Sequence, residues 1–283
     1  MARETSRGKC VYCNREFSKP SMTNHLKACK QRLASMEAVN SGSKKSGETR
    51  IFHLVVEGQY LPMYWMHLEV PAWVTLAGLD QFLRNIWVEC CGHLSAFRIG
   101  NVTYHSDAQL AAEGDMADPF SQRQSGTSEL LSEEFQAQIL QSLPPERQDA
   151  FMQWVQSARA EQLSRPIRRT SSMDVELGQV LQPGLKFTYE YDFGSTTELA
   201  LKVIAEREGK LQGRKNAIQI MARNELPAVP CDVCGEKPAT LIYQGWDDPE
   251  TWLCKDCAKA KHDQEMMLPI VNSPRAGVCG YTG

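Results

Sequence analysis

Alternation of apolar and polar side chains predicts several strands in the middle of the chain. Residues 52–56 and 64–70 are rich in β-branched and aromatic side chains, and residues 185–193 place apolar side chains at every second position. Because helices are not interleaved regularly between these strands, the pattern predicts an α+β domain over residues 51–226. Its centre should be an antiparallel or mixed sheet.

Apolar stripes with helical spacing predict one helix inside this domain and a helical insertion. Apolar side chains three and four residues apart run from Leu76 to Trp87. A second stripe runs from Leu131 to Leu143, and a third follows the prolines at 144 and 145. The second and third stripes predict a pair of antiparallel helices, inserted at about residues 128–164. Their apolar faces must be buried, and the domain's own sheet or a partner protein would serve equally well.

Hydropathy predicts a protein of a reducing compartment. No stretch approaches the roughly 18 uncharged apolar residues of a membrane span, and the N-terminus is polar and basic instead of carrying an apolar signal segment. We therefore expect a cytoplasmic protein with no membrane partner. In the cytosol, regularly spaced cysteine pairs indicate metal ligands more strongly than disulfides.

The N-terminal cysteines have the spacing of a small zinc finger at residues 8–30. Two cysteines separated by two residues can face one ion, and a His and a Cys four residues apart lie on one face of a helix. Phe17 and Met22 would form the small apolar core of a module that folds only with its metal. Residues 31–50 have the composition of a flexible basic linker. The predicted CCHC zinc ligands are Cys10, Cys13, His25 and Cys29.

A second set of cysteines, in residues 227–283, has the spacing of a zinc ribbon. Two pairs of cysteines, each separated by two residues, stand 19 residues apart. Four thiolates leave no open position for water, so the predicted role of this zinc is structural. The predicted ligands are Cys231, Cys234, Cys254 and Cys257. The sequence therefore predicts two zinc ions, one near each end of the chain.

Three cysteines remain outside these two patterns. Cys90 and Cys91 end an apolar helix and precede His93, so a nucleophile beside a base is conceivable. Adjacent cysteines in such a place are more often buried small hydrophobes, and we interpret them as core. Cys279 lies in a C-terminal tail that we expect to pack on the ribbon or the middle domain, and its Arg275 should have an acidic partner. The alternative is that the tail lines a site together with Asp192 and Cys279.

Basic residues are concentrated at the N-terminal end. Residues 1–50 contain 11 Lys and Arg against 4 Asp and Glu, whereas the net charge of the whole chain is −3. A basic arm on an acidic body favours contact with the phosphates of DNA or RNA, although short charged termini also serve solubility alone. The candidate nucleic-acid contacts are Lys9, Arg15, Lys19, Lys27, Lys30 and Arg32.

Several segments resemble one protein family. They are the run Phe-Thr-Tyr-Glu-Tyr-Asp-Phe-Gly at 187–194, the helix at 79–87, the His-Leu-x-x-Phe segment at 93–97 and the tail at 268–281. On these segments the chain resembles the Ri-plasmid (pRiA-four) ORF-three-like family, over roughly residues 50–283. The resemblance implies an α+β fold and a link to plasmids or mobile elements. The sequence departs from the family pattern after Gly194, where an aspartate is usual and Ser195 stands.

Three functions compete at this point. The leading hypothesis is a zinc-binding, nucleic-acid-associated accessory protein of a plasmid or mobile element. The alternative is a protein-interaction adaptor with purely structural zinc sites, which would bind another protein through the helical insertion. The third is an enzyme with a composite site around Asp192, Glu190 and His93. No phosphate loop, nucleophile elbow or metalloprotease motif is present, so we assign no catalytic residue.

Overall fold

The computed structural model describes residues 6–41, 48–115, 133–164, 169–211, 217–226, 228–244, 250–260 and 266–283. The chain divides into two compact units. The first combines Met1–Gly100 with Met173–Gly283, and the second is Asn101–Ser172.

Strands and helices alternate irregularly along the described residues. The strands are β1 (Arg7–Cys10), β2 (Glu16–Ser18), β3 (Thr49–Gly58), β4 (Trp65–Pro71), β5 (Ser95–Ile99), β6 (Val102–His105), β7 (Arg169–Ser172), β8 (Lys186–Tyr191), β9 (Thr197–Gly209), β10 (Gln219–Asn224), β11 (Leu241–Tyr243), β12 (Thr251–Leu253) and β13 (Met267–Pro269). The helices are α1 (Lys19–Ala28), α2 (Lys30–Asn40), α3 (Leu76–Leu83), α4 (Asp107–Asp115), α5 (Glu133–Ser142), α6 (Pro145–Ser164), α7 (Leu177–Val180) and α8 (Lys255–Lys259).

The first unit is built on a large antiparallel sheet. Its strands follow the order β2-β1-β10-β4-β3-β9-β8-β5. The middle strands β3 and β4 pair from Ile51 to Glu57, and nearly all of their side chains are buried because both faces of the sheet are covered there. A smaller sheet, in the order β12-β11-β13, lies near the C-terminus. These features confirm the predicted α+β fold class.

Helix α3 forms where the apolar stripe predicted a helix, but its end is a π-helical turn. The Thr75 hydroxyl accepts a hydrogen bond from the Gly78 amide and caps the helix. Leu76, Leu79 and Leu83 are buried, and the chain then continues as a π-helical turn over Arg84–Val88. The wider turn ends at Val88, two residues before Cys90, so it sets the direction in which the following loop leaves the helix.

The second unit contains strands β6 and β7, which pair in parallel, with Val102 opposite Arg169. Helices α5 and α6 occupy 133–142 and 145–164, inside the segment for which the sequence predicts a helical insertion. Residues 128–132 of that segment lie outside the described residues. In the described parts of both units, no helix is long and apolar enough to cross a membrane.

The linker prediction for residues 31–50 is wrong over its first half. Helix α2 extends through Asn40, and Arg32 on it is buried. The Arg32 guanidinium donates to Glu69 on β4 at 2.6 Å and to the Leu26 carbonyl at 2.8 Å. Composition suggested a solvated linker because the helix is polar, yet a buried ion pair fixes it to the sheet. Residues 42–47 lie outside the described part of the chain.

Candidate metal centres

The N-terminal cluster consists of Cys10, Cys13, His25 and Cys29. Cys10 ends β1, Cys13 lies in the turn before β2, His25 is on α1, and Cys29 follows that helix. The Cys10 and Cys29 sulfurs are 4.0 Å apart, and the Cys13 sulfur is 3.3 Å from His25 Nε2. Metal–sulfur bonds of about 2.3 Å in a tetrahedron require ligand separations of about 3.8 Å. The four side chains therefore already surround a volume of the size that one metal ion needs.

The N-terminal cluster shares its apolar core with the large sheet. Met22 and Leu26 of α1 pack in one buried group with Trp65 of β4 and with Met221 and Ala222 of β10. Strand β1 pairs with β10 in the same region. The sequence predicts a self-contained module at residues 8–30, whereas the structure makes this segment the continuation of the sheet.

His25 is in the state that a metal ligand requires. Burial, with a smaller contribution from the nearby Arg15 guanidinium, lowers the pKa of the His25 imidazole below its ordinary value. The neutral ring is therefore favoured, and its Nε2 faces Cys13. A neutral imidazole and three thiolates are a common ligand set for divalent zinc-like ions.

The C-terminal cluster consists of Cys231, Cys234, Cys254 and Cys257. A turn closed by the Gly235 amide on the Cys231 carbonyl, at 2.8 Å, holds the first pair. Gly235 has φ of 68°, a conformation that glycine adopts without strain. The second pair lies at the start of α8, where the Cys254 sulfur accepts from the Cys257 amide at 3.5 Å.

Backbone amides and apolar packing prepare the C-terminal cluster for a metal. The Cys234 and Cys254 sulfurs are 3.9 Å apart, close to the tetrahedral separation. Hydrogen bonds from the amides of residues 234 and 254 lower the pKa of the Cys231 thiol to about 6, so its thiolate is accessible at neutral pH. Tyr243 and Leu253 pack against the ligands. The structure thus brings all eight predicted ligands together in two groups that could each hold a metal ion.

A third group was not predicted from the sequence. Cys90, Cys91, His93 and Cys279 form the loop cluster, in which the ligand atoms lie as close together as in the other two groups. Cys91 and Cys279 are exposed and Cys90 is half-buried, so the interpretation of Cys90 and Cys91 as buried core is wrong. The signal was hidden because 186 residues separate His93 from Cys279. All ten cysteines of the chain fall in the three clusters.

A buried ion pair lies beneath the loop cluster. The sequence indicated that Arg275, alone among uncharged tail residues, needs an acidic partner, and its guanidinium donates to Asp192 at 2.7 Å. Burial opposes ionisation of Asp192, but hydrogen bonds from Arg275, Ser195 and two amides outweigh it and hold the pKa of the carboxyl below its ordinary range. Of the three residues proposed for a composite enzyme site, His93 and Asp192 approach within 3.6 Å. Glu190 instead pairs with Arg98 at 2.8 Å.

The candidate nucleic-acid contacts have unequal access to a ligand. Lys9 pairs with Glu225 at 3.0 Å, and Lys19 pairs with Glu57. Arg32 is buried in its pair with Glu69 and cannot reach a phosphate at the surface, so it is removed from the predicted set. Exposed positions are occupied by Arg15, Lys27 and Lys30.

Residues 52–267 match the family described as "Plasmid pRiA4b ORF-3-like protein". This chain belongs to that family. The match confirms the family resemblance over residues 52–267, and the tail segment at 268–281 lies beyond it. Within the pRiA4b ORF-3-like region lie the C-terminal cluster, the 90–93 part of the loop cluster and Asp192. The N-terminal cluster and Cys279 lie outside the matched residues.

Among solved structures, the pRiA4b ORF-3-like chain is similar to "Protein of Unknown Function MM3350" from Methanosarcina mazei Go1. The two are 12% identical, the alignment covers 62% of this chain and 71% of that one, and the TM-score is 0.36. No curated protein matches the chain.

Proposed function

We propose that this protein binds zinc at its two terminal clusters and associates with nucleic acid through a basic groove on its large sheet. The observation that carries the proposal is the continuity of this groove. It begins at helix α1 of the N-terminal cluster and crosses the sheet, enclosing about 730 Å³. Its cationic lining residues are Lys19, Arg98, Lys186 and Lys202.

The ligand sets support zinc as the metal. Thiolates and a neutral imidazole in tetrahedral spacing suit Zn²⁺ better than Mg²⁺ or Ca²⁺, which prefer oxygen ligands. Four protein ligands in each terminal cluster leave no open position, so the zinc ions would hold structure and supply no reaction chemistry. Zinc at the N-terminal cluster would hold helix α1 in place, and α1 forms one wall of the groove.

Two opposed lysines give the groove its affinity for anions. Lys186 on β8 lies directly opposite Lys202 on β9. Both are exposed, and neither forms an ion pair with a carboxylate of the described residues. Like charges facing each other across two strands destabilise a sheet. A phosphate bound between the two ammonium groups would remove that repulsion, so the free protein is poised to accept one.

The groove has a favourable end and an unfavourable one for phosphate. At its α1 end, the first turn of a ten-residue helix contains no acidic residue, and the helix dipole favours an anion there. The Glu57 carboxylate also lines this end, but it is paired with Lys19, and Arg98 is paired with Glu190, so Lys186 and Lys202 are the lining cations left to meet a phosphate. Along β8 and β9 in the other direction, Glu190 lies opposite Glu198. We therefore place the phosphate backbone between the start of α1 and the Lys186–Lys202 pair, short of the two glutamates.

The test is a fluorescence-anisotropy titration of labelled single-stranded and duplex DNA against salt concentration. Replacing Lys186 and Lys202 together by glutamine should weaken binding to all sequences alike. If each lysine neutralises one phosphate, the slope of log affinity against log salt should become shallower by about 1.4 for single strands and about 1.8 for duplex. The matched control replaces the exposed Lys255 and Lys259 on α8 by glutamine and should change neither quantity.

Point variants are preferable to deletion of residues 1–50. Such a deletion removes β1, which pairs with β10, and the start of β3, so loss of binding would not distinguish a lost contact from a damaged sheet. An unchanged affinity and salt slope in the Lys186/Lys202 double variant would refute the proposed groove. Equal weakening by the Lys255/Lys259 control would also refute it, because attraction would then depend on net charge alone.

A further inference from the structure

We propose that the loop cluster is a third zinc site, formed by Cys90, Cys91, His93 and Cys279, that fastens the C-terminal tail to the loop after α3. The site is independent of nucleic-acid binding. It takes a divalent ion of the zinc class, because its ligands are three thiolates and one imidazole.

The separations between ligand atoms carry this inference. The Cys91 sulfur is 3.4 Å from the Cys90 sulfur and 3.7 Å from the Cys279 sulfur. His93 Nε2 is 3.0 Å from the Cys91 sulfur and 3.3 Å from the Cys279 sulfur. These values, 3.0 to 3.7 Å, overlap the 3.3 to 4.0 Å found in the two terminal clusters and approach the roughly 3.8 Å between sulfurs on a tetrahedral zinc ion. A disulfide would explain one pair of sulfurs, but it leaves the third cysteine and the imidazole unexplained.

The loop that carries three of the ligands is held in shape by its neighbours. The Tyr191 hydroxyl accepts hydrogen bonds from the amides of Cys90 and His93, both at 3.3 Å. It donates to Glu89 at 2.8 Å, and the same Glu89 oxygen accepts from the Gly92 amide at 2.6 Å. Arg84 donates to the His93 carbonyl at 2.7 Å and so fixes the end of the loop. These hydrogen bonds fix the backbone that carries the ligands, as a metal site requires.

The fourth ligand, Cys279, comes from a tail whose residues 273–277 are buried. The Arg275 guanidinium has no exposed surface, and it donates to Asp192 at 2.7 Å and to the Cys90 sulfur at 3.4 Å. Cys279 itself has φ of 51°, which is unfavourable for a residue other than glycine. Such strain persists where surrounding interactions require it, and coordination of the thiolate supplies a reason here.

The charges around the cluster suit a zinc ion with three thiolates. Such a centre carries one net negative charge. The buried Arg275 guanidinium, which is paired with Asp192, also donates to the Cys90 sulfur and so offsets part of that charge. Tyr191, Asp192 and Arg275 belong to the two segments that the sequence singled out without finding a role for them. In the folded chain all three support one site. Tyr191 holds the loop through the amides of Cys90 and His93, and the Asp192–Arg275 pair lies next to the Cys90 sulfur.

Exposure distinguishes this site from the other two. Each terminal cluster contains two buried cysteines, whereas Cys91 and Cys279 are both exposed. Zinc at the loop cluster should therefore exchange with solvent and chelators faster than zinc at the ends of the chain.

Native mass spectrometry of the full chain, purified with zinc, provides the test. We expect three zinc ions per chain, two in Cys279→Ser and two in Cys91→Ser. Val278→Ser is the matched control, because it disturbs the same turn without removing a thiolate, and it should keep three. The double variant Cys254→Ser/Cys279→Ser should keep one fewer than Cys279→Ser alone, which separates this site from the C-terminal cluster.

A zinc-sensitive dye in excess provides a second readout. One equivalent should leave the wild-type chain in a fast phase, and that phase should be missing from Cys279→Ser. A zinc count that is the same in Cys279→Ser as in the wild-type chain would overturn the proposal. So would peptide mapping without reductant that finds a Cys91–Cys279 disulfide in zinc-loaded protein.

Discussion

At the scale of single residues, the buried carboxylate of Glu69 shows how the fold tolerates charge in its interior. Glu69 accepts hydrogen bonds from Arg32 at 2.6 Å and from two nitrogens of Arg207 at 2.9 and 3.0 Å. Burial opposes ionisation of Glu69, but the hydrogen bonds from Arg207 and Arg32 outweigh it, so the pKa lies below its ordinary value. Arg32 lies on α2, Glu69 on β4 and Arg207 on β9. The three charged side chains therefore fasten these three elements together.

Replacement of Glu69 by glutamine should destabilise the protein by about 3–5 kcal/mol, because the buried Arg32 and the partly buried Arg207 would lose the carboxylate with which both pair. Urea unfolding of the purified variant measures the change in the free energy of unfolding. Glu16→Gln is the matched control, since Glu16 also pairs with a basic residue, Lys9, but at an exposed site. It should cost no more than about 1 kcal/mol. Equal effects of the two substitutions would contradict a special role for the buried group.

The limits of sequence reasoning at this scale follow from the same residues. Arg32 looked like a member of a basic arm because its neighbours in the sequence are polar and basic. Its partner Glu69 is 37 residues away, and no periodicity connects them. The metal ligands at both ends were predictable because each set is contained in a short segment whose spacing alone reports the geometry.

At the scale of elements, the N-terminal cluster acts through the strand that it holds. Strand β1 ends at Cys10 and pairs with β10, with Gly8 opposite Asn224. The Trp65 indole donates to the Ser6 hydroxyl at 2.8 Å and lies in the apolar group of the cluster. A metal at this cluster would therefore stabilise one side of the large sheet as well as the short hairpin around the ligands.

Loss of the N-terminal metal should release β1 from β10. In Cys29→Ser, backbone amides of β1 should exchange with deuterium at rates approaching those of an unstructured peptide, while those of β3 and β4 stay protected. Hydrogen exchange followed by mass spectrometry resolves these strands in separate peptides. Cys254→Ser, which alters the C-terminal cluster, is the control and should leave β1 protected. Persistent protection of β1 in Cys29→Ser would show that pairing alone holds the strand.

Elements with a strong local pattern were predictable, and their long-range pairings were not. The buried runs of β3 and β4 and the stripe of α3 are visible in the sequence because each burial pattern repeats within a few residues. The pairing of β1 with β10 joins residues about 200 positions apart, and only tertiary packing selects it. The π-helical end of α3 was also hidden, because the apolar spacing up to Trp87 fits an ordinary helix.

At the scale of the whole molecule, the three clusters account for the use of cysteine throughout the chain. The terminal clusters are each contained in fewer than 30 residues, so the sequence revealed them. The loop cluster depends on the folded sheet, because β8 delivers Tyr191 and the tail delivers Cys279 only after the chain has closed on itself. Sites of this second kind become visible only in the three-dimensional structure.

The stability of the whole protein should also depend on two buried histidines at the middle of the sheet. His53 on β3 and His67 on β4 are hydrogen-bonded at 2.9 Å between His53 Nε2 and His67 Nδ1. Burial lowers the pKa of each imidazole to about 3; Arg32 and Lys27 add to the effect at His53, and His53 and Lys19 add to it at His67. In the unfolded chain both should titrate near their ordinary value of about 6.5.

Between pH 6.5 and pH 3 the unfolded chain therefore binds more protons than the folded one, and the free energy of unfolding must fall as the pH is lowered. At pH 5 the loss should be about 2 kcal/mol for each imidazole. Urea unfolding at pH 7 and pH 5 measures it. Replacing both histidines by glutamine should remove most of this pH dependence. Since that variant keeps every cluster ligand, metal loss in acid affects both proteins alike and cancels in the comparison. An equally steep loss of stability in the variant would assign the acid sensitivity to the clusters instead.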